Sequence, residues 1–161
     1  MIRQAQPGDV SGMLAIYAPI VIETSISFEL DVPSADDFSA RVARSLERHD
    51  WLVFEDEHGI VGYAYATAFR SREAYRLSAE TSVYVAERAR RSGVAAALYT
   101  ALFDSLVAKG FHTAIAGITL PNEPSVAFHE RQGFSRVGVF QEVGFKFDAW
   151  HDVMWLQRLL T

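Results

Sequence analysis

The segment from Val83 to Ala96 combines the residue types of a phosphate-binding site. Its apolar first three residues predict the end of a strand, a basic turn follows, and a helix begins at Gly93 with small residues after it. A helix start presents free backbone N–H groups and the positive end of the helix dipole, so a pyrophosphate can bind there. Arg90 and Arg91 add positive charge, and the small residues allow close approach to the main chain. An ordinary basic turn before a closely packed helix explains the pattern equally well.

Several other chemistries lack support in the sequence. No Walker lysine follows Gly93, which disfavours a nucleotide P-loop, and the further glycines of a dinucleotide fingerprint are missing. The chain has no cysteine, so disulfides, thiolate metal sites and a cysteine nucleophile are excluded. The five histidines show no close ligand spacing and no Ser-His-Asp motif is present, so no metal site is predicted.

Charge and hydropathy restrict the partners. The formal net charge of -5 makes nucleic-acid binding unexpected, because that function needs a basic face. No apolar run approaches the length of a membrane span, and the N-terminus lacks the apolar core of a signal peptide. We therefore expect a cytoplasmic protein with no membrane contact.

The secondary-structure elements that must position this segment follow from the spacing of apolar residues and from turn and capping residues. Apolar residues at helical spacing predict a helix over 10–22, with Asp9 as its cap, and a second helix that starts at the capping sequence after Ser34 and ends near His49. The other predicted elements are a hairpin with strands at 51–54 and 60–68, a strand at 78–85, a helix at 93–109, a strand at 112–118, a helix at 121–132, and strands at 134–147 and 151–158. With an initial strand and no repeat or linker, the sequence predicts one mixed α/β domain over 1–161.

Two spaced motifs then indicate a family. Arg90-x-x-Gly93-x-Ala95 after the strand, and Asn122-x-x-Ser125-x-x-x-His129-x-x-x-Gly133-Phe134, resemble the acetyl-CoA motifs of the GNAT superfamily of N-acetyltransferases. Within it, further segments spread over nearly the whole chain are similar to the phosphinothricin and methionine sulfoximine N-acetyltransferases: Ile22-Glu23-Thr24-Ser25, Ala74-Tyr75, Glu80-x-Ser82-Val83-Tyr84-Val85, Leu120-Pro121-Asn122-Glu123-Pro124-Ser125-Val126, Gly144-Phe145-Lys146 and Trp150-His151-Asp152-Val153.

The resemblance implies a GNAT fold, a mixed and mostly antiparallel sheet flanked by helices and splayed where a parallel pair separates to admit acetyl-CoA. The implied cofactor contacts are the strand residues Val83, Tyr84 and Val85 for the pantetheine arm, the turn and helix start Arg90, Arg91, Ser92, Gly93, Val94, Ala95 and Ala96 for the pyrophosphate, and Asn122 and Ser125 on the later helix. It also implies direct transfer to an amine without an acyl-enzyme, and a homodimer that uses the C-terminal strands.

Two residues are candidates for proton transfer. Glu80 is the implied general base, because an amine must lose a proton to attack a thioester, and partial burial would raise the pKa of the carboxyl group. Without the resemblance, the residues alone favour a solvated strand residue at Glu80. His129 stands where many GNAT proteins carry a tyrosine, and it is either a proton donor to the departing thiolate or a helix histidine that only contacts the cofactor.

The acceptor residues are the least determined. Arg70, Arg72 and Tyr75 precede the central strand and would bind a carboxylate or phosphinate, although a solvated basic loop has the same composition. Phe28 is either a wall of the acceptor pocket or a core residue. The expected acceptor is the amine of a small amino-acid-like molecule. Two alternatives stay open: an acceptor at a protein N-terminus or lysine, and a CoA-binding sensor domain without catalysis.

Overall fold

Four α-helices and seven strands follow one another in the predicted order. The structure is a computed structural model that describes residues 1–161. Its elements are β1 (Ile2–Gln4), α1 (Val10–Glu23), α2 (Ala35–Arg48), β2 (Trp51–Asp56), β3 (Gly59–Ala68), β4 (Ser78–Val85), α3 (Val94–Ala108), β5 (Thr113–Thr119), α4 (Glu123–Arg131), β6 (Ser135–Lys146) and β7 (Ala149–Leu159). Three single 3₁₀ turns at 7–9, 73–75 and 87–89 were not predicted. The other boundaries agree with the sequence prediction to within two residues.

The seven strands form one sheet in the order β1-β2-β3-β4-β5-β7-β6. All neighbours are antiparallel except β4 and β5. That parallel pair is joined only where Ser78, Ala79 and Glu80 lie opposite Thr113, Ala114 and Ile115, whereas β4 continues to Val85 and β5 to Thr119. The two strands therefore separate after Glu80 and leave a cleft in the middle of the sheet, which confirms the mixed and splayed sheet that the sequence predicts.

Each face of the sheet is covered by its own layer of helices. On one face, α3 buries Leu98, Leu102 and Leu106, all at 0% exposure, against the small residues of β3, β4 and β5. Each leucine contributes roughly 1.5–3 kcal/mol relative to an exposed position. On the other face, α1 and α2 pack around an aromatic cluster that includes Tyr17, Phe38, Trp51, Tyr63 and Tyr84. Glu80, Ser82 and Tyr84 point to this second face, since alternate residues of a strand share one side.

The two predicted helix caps differ in outcome. The Ser34 side chain accepts a hydrogen bond from the Asp37 N–H at 3.1 Å, as the capping sequence predicts. The predicted cap at Asp9 is wrong, because its carboxylate instead accepts from the Gln6 N–H and from both terminal nitrogens of Arg3 at 2.7 and 2.8 Å. None of the helices has the length and apolar sequence needed to cross a membrane.

Candidate active site

The turn between β4 and α3 is shaped by two residues in the left-handed region. Arg91 has φ 61° and Gly93, the first residue before α3, has φ 84°. The first helical bond from the turn is Ala97 N–H to Gly93 O at 3.0 Å, so the amides of Val94, Ala95 and Ala96 have no main-chain acceptor. These three free N–H groups lie at the positive end of a 15-residue helix and can bind a phosphate group. We call them the pyrophosphate cradle.

The arginines of this turn divide into two groups. Arg88 is held by Asp56 of the β2–β3 hairpin at 2.7 Å, so it fastens the turn rather than facing a ligand. Arg90 and Arg91 are exposed and form no ion pair, which leaves both free for an anion. Ser92 bonds through its hydroxyl to the carbonyl of Ala89 and shapes the turn through that contact.

The cleft between β4 and β5 brings the two halves of the predicted cofactor site together. It holds a cavity of about 60 Å³ whose walls come from β4, β5, α3, α4 and the segment after α1: Ile26, Thr81, Ser82, Val83, Tyr84, Tyr99, Ala116, Gly117, Ile118, Thr119, Asn122, Ser125 and His129. Beyond Glu80 the main chain of β4 has no partner on its β5 side, so an extended amide chain can pair with it there. Val85 lies outside this cleft and packs against the core under α3.

Asn122 begins α4 and its side chain is only partly used. Its Oδ1 atom accepts the Ser125 N–H at 3.3 Å, which caps the helix, whereas its amide N–H₂ group has no protein partner. Asn122, Ser125 and His129 line the same cavity from successive turns of α4. The predicted spacing of this motif therefore corresponds to one wall of the cleft.

His129 is buried and both of its ring nitrogens have protein partners. The side chain is 6% exposed, Nδ1 lies 2.8 Å from the carbonyl of Ser125, and Nε2 lies 3.0 Å from the hydroxyl of Tyr99. A carbonyl only accepts, so Nδ1 carries the proton and Tyr99 donates to Nε2. Burial lowers the pKa of His129, which makes the neutral imidazole the expected form at pH 7. No N–H of the ring is free for the cofactor.

This burial makes stability depend on pH. The pKa of His129 is lower in the folded protein than in the unfolded chain, so its contribution is complete above the ordinary histidine pKa and is lost as pH falls below it. We expect the free energy of unfolding to fall as pH drops below about 6.5, by at most about 1.4 kcal/mol per pH unit for this group. Burial also lowers the pKa of His49, which adds to the slope. Chemical denaturation should show a shallower slope in His129→Phe, and an unchanged slope would contradict the assignment.

Glu80 occupies the last paired position before β4 and β5 separate. It lines a second cavity of about 580 Å³ on the α1–α2 face, together with Tyr17, Phe38, Arg41, Arg44, Ser45, Glu47, Arg48, His49, Trp51, Tyr63, Tyr65, Thr67, Ala68 and Ser82. The carboxylate is partly buried and accepts no hydrogen bond from the protein, and burial raises its pKa. This volume lies in the range of small-molecule sites. An unpartnered carboxylate beside the cleft can take a proton from a bound amine.

The predicted acceptor residues line neither of these cavities. Arg70 lies over the rings of Phe69 and Tyr75, at 4.9 and 5.6 Å from their centroids, and Arg72 is exposed at the start of the 73–75 turn. Phe28 is 38% exposed, so the core alternative for this residue is wrong. Its ring packs against Gly144 of β6, the edge strand of the sheet.

The sequence did not predict several residues that line or support the site. Tyr99, which positions His129, belongs to the apolar stripe of α3 and carries no signal apart from its hydroxyl. Ile26 and Thr81 belong to the cleft walls but look like ordinary apolar and strand residues. Glu29 bonds Arg41 at 2.5 and 2.9 Å and accepts from the Tyr17 hydroxyl, which ties the segment after α1 to α2. No cluster of three or more His, Asp or Glu side chains has the arrangement of a metal site.

Comparison with known proteins agrees with this geometry. The family model described as an acetyltransferase (GNAT) domain matches residues 2–155. A phosphinothricin N-acetyltransferase of Streptomyces viridochromogenes is 35% identical over 157 residues, which are 98% of this chain and 86% of that protein. An L-methionine sulfoximine/L-methionine sulfone acetyltransferase of Pseudomonas paraeruginosa is 35% identical over 158 residues, 97% of this chain and 92% of that protein.

A solved structure extends the agreement to three dimensions. The crystal structure of a GNAT superfamily phosphinothricin acetyltransferase from Sinorhizobium meliloti, in complex with acetyl-CoA, superposes with a TM-score of 0.94 at 34% identity. The match covers 99% of this chain and 87% of that one.

Proposed function

Because this chain belongs to the GNAT family of acetyltransferases and is an acetyl-CoA-dependent N-acetyltransferase, we propose that its acceptor is the amine of a small amino acid such as phosphinothricin or methionine sulfoximine. The observation that carries the proposal is the placement of Glu80. An unpartnered, partly buried carboxylate stands where the cleft meets a 580 Å³ cavity of suitable size for such an acceptor. The acceptor class comes from the relatives, a phosphinothricin N-acetyltransferase and a methionine sulfoximine/sulfone acetyltransferase.

Glu80 acts as the base for the acceptor. An amino acid enters as an ammonium ion, and one of its protons passes to the Glu80 carboxylate, directly or through a water molecule, to give the neutral amine. Bound acetyl-CoA supplies the thioester carbon that the amine attacks, forming the C–N bond as the C–S bond breaks and the thiolate departs. A second proton leaves the nitrogen as the amide forms, so one proton is available to the thiolate.

The cofactor is held by main chain more than by side chains. The free amides of Val94, Ala95 and Ala96 bind the pyrophosphate, with Arg90 and Arg91 beside them, while Arg91, Ser92 and Gly93 set the shape of the turn. The open edge of β4 from Val83 to Val85 pairs with the pantetheine arm, and the free amide of Asn122 reaches it from α4 next to Ser125. His129 stays neutral and holds Tyr99 at the cleft wall, because both ring nitrogens are already bonded.

The acid group of the acceptor meets the basic loop between β3 and β4. Arg70 and Arg72 have no carboxylate partner, so either guanidinium is free to bind a carboxylate or phosphinate in a bidentate way. The Arg70 guanidinium lies against the adjacent rings of Phe69 and Tyr75, which hold it in place. Phe28 lines neither cavity and acts on the acceptor pocket only through the segment after α1 that carries it.

The test is release of CoA, detected with a thiol dye, from acetyl-CoA and a panel of acceptors. The panel holds phosphinothricin, methionine sulfoximine, methionine sulfone, ordinary amino acids, polyamines and short peptides. Saturable turnover on the first three, well above the peptides, is expected. Turnover on peptides alone would refute the acceptor class, and CoA binding without turnover on any amine would refute catalysis.

We also propose that two copies associate through β6 and β7 in the cytoplasm. The β6–β7 hairpin exposes seven large apolar side chains, each at least 43% accessible: Val137, Val139, Phe140, Val143, Phe145, Phe147 and Trp150. Moreover, β6 is an edge strand with no neighbour on its outer side. A monomer rarely exposes so large an apolar patch.

Charge on this patch should separate the copies. Phe145 packs against Trp150 across the two strands, with ring centroids 5.0 Å apart, so Phe145→Asp introduces a carboxylate among the exposed apolar side chains. We expect a wild-type dimer by sedimentation equilibrium and a dissociation constant at least about 100-fold weaker in the variant, the effect of losing an aromatic anchor. A monomeric wild-type protein would contradict the proposal.

A further inference from the structure

Lys146, the last residue of β6, is buried although lysine rarely is. The side chain is 3% exposed and forms no ion pair. Instead, its ammonium group donates to the main-chain carbonyls of Val21 at 2.7 Å and Ser27 at 2.8 Å. These partners lie 125 and 119 residues earlier in the chain, so the bonds join the C-terminal hairpin to the end of the first helix.

The surroundings explain how the charge is tolerated. The carbonyl of Val21 belongs to the last turn of α1, where carbonyl groups have no helical partner and the helix dipole is negative. The ring of Phe147 lies 5.1 Å from the ammonium nitrogen, which adds a cation–π contact. Lys146 therefore takes the place of a cap on α1, and removing it would leave two buried carbonyls without a donor.

The segment that Lys146 fastens lines the cleft and contacts a wall residue of the larger cavity. Ile26 lines the cleft between β4 and β5. The Ser27 hydroxyl lies 2.7 Å from that of Tyr17, which lines the larger cavity beside Glu80. Phe28 packs so closely on Gly144 of the hairpin that a Cβ atom there would lie 2.2 Å from its ring. The position of residues 26–28 thus depends on the hairpin at two points, Lys146 and Gly144.

We propose that Lys146 is a positioning residue for acceptor binding, which acts by holding Ile26, Ser27 and Phe28 against the β6–β7 hairpin. The proposal rests on the acetyl transfer to a small amino acid described above. Lys146 touches neither the cleft nor the larger cavity, so it acts only through the segment it holds. The pyrophosphate cradle at the start of α3 is separate from this network, since none of its residues lines the cleft beside Ile26.

The test is the steady-state kinetics of Lys146→Met. The acceptor is phosphinothricin, or methionine sulfoximine if wild-type protein turns that over faster in the panel. Methionine keeps the length and removes the donors. We expect KM for the acceptor to rise about tenfold or more, as the loss of hydrogen bonds from a charged donor predicts. At saturating acceptor, kcat and KM for acetyl-CoA should stay within about threefold of the wild-type values. This is the pattern expected when acceptor binding is weakened and the chemical step is not.

Two further variants separate positioning from general stability. Arg158→Met removes another cation that donates to a main-chain carbonyl, that of Gln132 at 2.6 Å, on the opposite face of the sheet, and it should leave the acceptor KM unchanged. Gly144→Ala leaves Lys146 intact but displaces Phe28, so it should raise the acceptor KM in the same selective way. If Lys146→Met does not fold, the acceptor KM of Gly144→Ala tests the proposal instead.

A double-mutant cycle gives the remaining check. Because Lys146 is expected to act through the segment that carries Phe28, the effects of Lys146→Met and Phe28→Ala on the acceptor KM should be less than multiplicative. The inference is overturned if kcat and both KM values change together, if the two effects multiply, or if Gly144→Ala leaves the acceptor KM as in wild type. Absence of wild-type turnover on the whole panel refutes the proposed function and this inference with it, whereas wild-type turnover with an unchanged acceptor KM in Lys146→Met refutes the inference alone.

Discussion

Glu80→Gln is expected to lower kcat/KM for the acceptor about 10²- to 10⁴-fold at pH 7, the range found for loss of a general base. Glutamine keeps the shape of the side chain and its place in the strand pairing, but it cannot accept the ammonium proton. The affinity for CoA should stay within about twofold of wild type, because Glu80 faces the larger cavity and does not line the cleft. CoA release gives the rate and isothermal titration with CoA gives the affinity.

The pH profile adds a second readout for Glu80. Only the ionised carboxylate accepts a proton, so kcat/KM should fall as pH drops through the Glu80 pKa. Burial raises the pKa of Glu80, which places this acidic limb above the range of an ordinary glutamate. The limb should be missing from the profile of Glu80→Gln. An identical acidic limb in the variant would assign the titration to another group.

Stability serves as the control for folding. A raised carboxyl pKa means that the fold favours the protonated form, so the contribution of Glu80 is lost as pH rises through the folded pKa. At pH 7 the neutral glutamine should leave the melting temperature equal or higher. Glu47→Gln provides the matched variant, since Glu47 lines the same cavity from α2, and it should retain near wild-type activity. Equal losses in both variants would argue for a general effect of charge in the cavity.

The sequence predicts well whatever depends on neighbours along the chain. The apolar residues of α3 at four-residue spacing place Leu98, Leu102 and Leu106 in the core, and the Gly93 signal marks the turn with φ 84°. The Asn122 motif spans one helix, so its spacing alone places Asn122, Ser125 and His129 on one wall. The cap at Asp9 fails because its competing partner, Arg3, belongs to a different element.

Contacts between distant segments are what the sequence does not predict. The role of Glu80 depends on the register of β4 with β5, since one step along the strand would turn the carboxylate to the other face. His129 is predicted as a cofactor contact or acid, but its proton state depends on Tyr99, 30 residues away. Lys146 looks like an exposed hairpin lysine until β6 is folded back onto the end of α1. Each of these contacts arises from topology, which residue spacing does not encode.

Gly93→Asp is expected to weaken CoA binding about 100-fold or more. The added carboxylate would stand at the free amides of Val94, Ala95 and Ala96, where the pyrophosphate carries its negative charge. There is open space at the Gly93 Cβ position, with no protein atom within 4 Å, so the variant meets no steric clash within the protein. The strain comes from φ 84°, which costs of order 1–3 kcal/mol for a residue other than glycine.

Gly93→Asn separates the charge from the strain. Asparagine and aspartate have the same shape, and both tolerate the left-handed region better than other side chains, so the two variants should unfold at similar denaturant concentrations. Strain and bulk act in both, whereas only aspartate repels the phosphates, so Gly93→Asn should weaken CoA binding about tenfold less than Gly93→Asp. The difference should shrink as the salt concentration rises, because the site lies at an exposed turn. Equal CoA affinities in the two variants would place the pyrophosphate away from the start of α3, since a negative charge there would then be without effect.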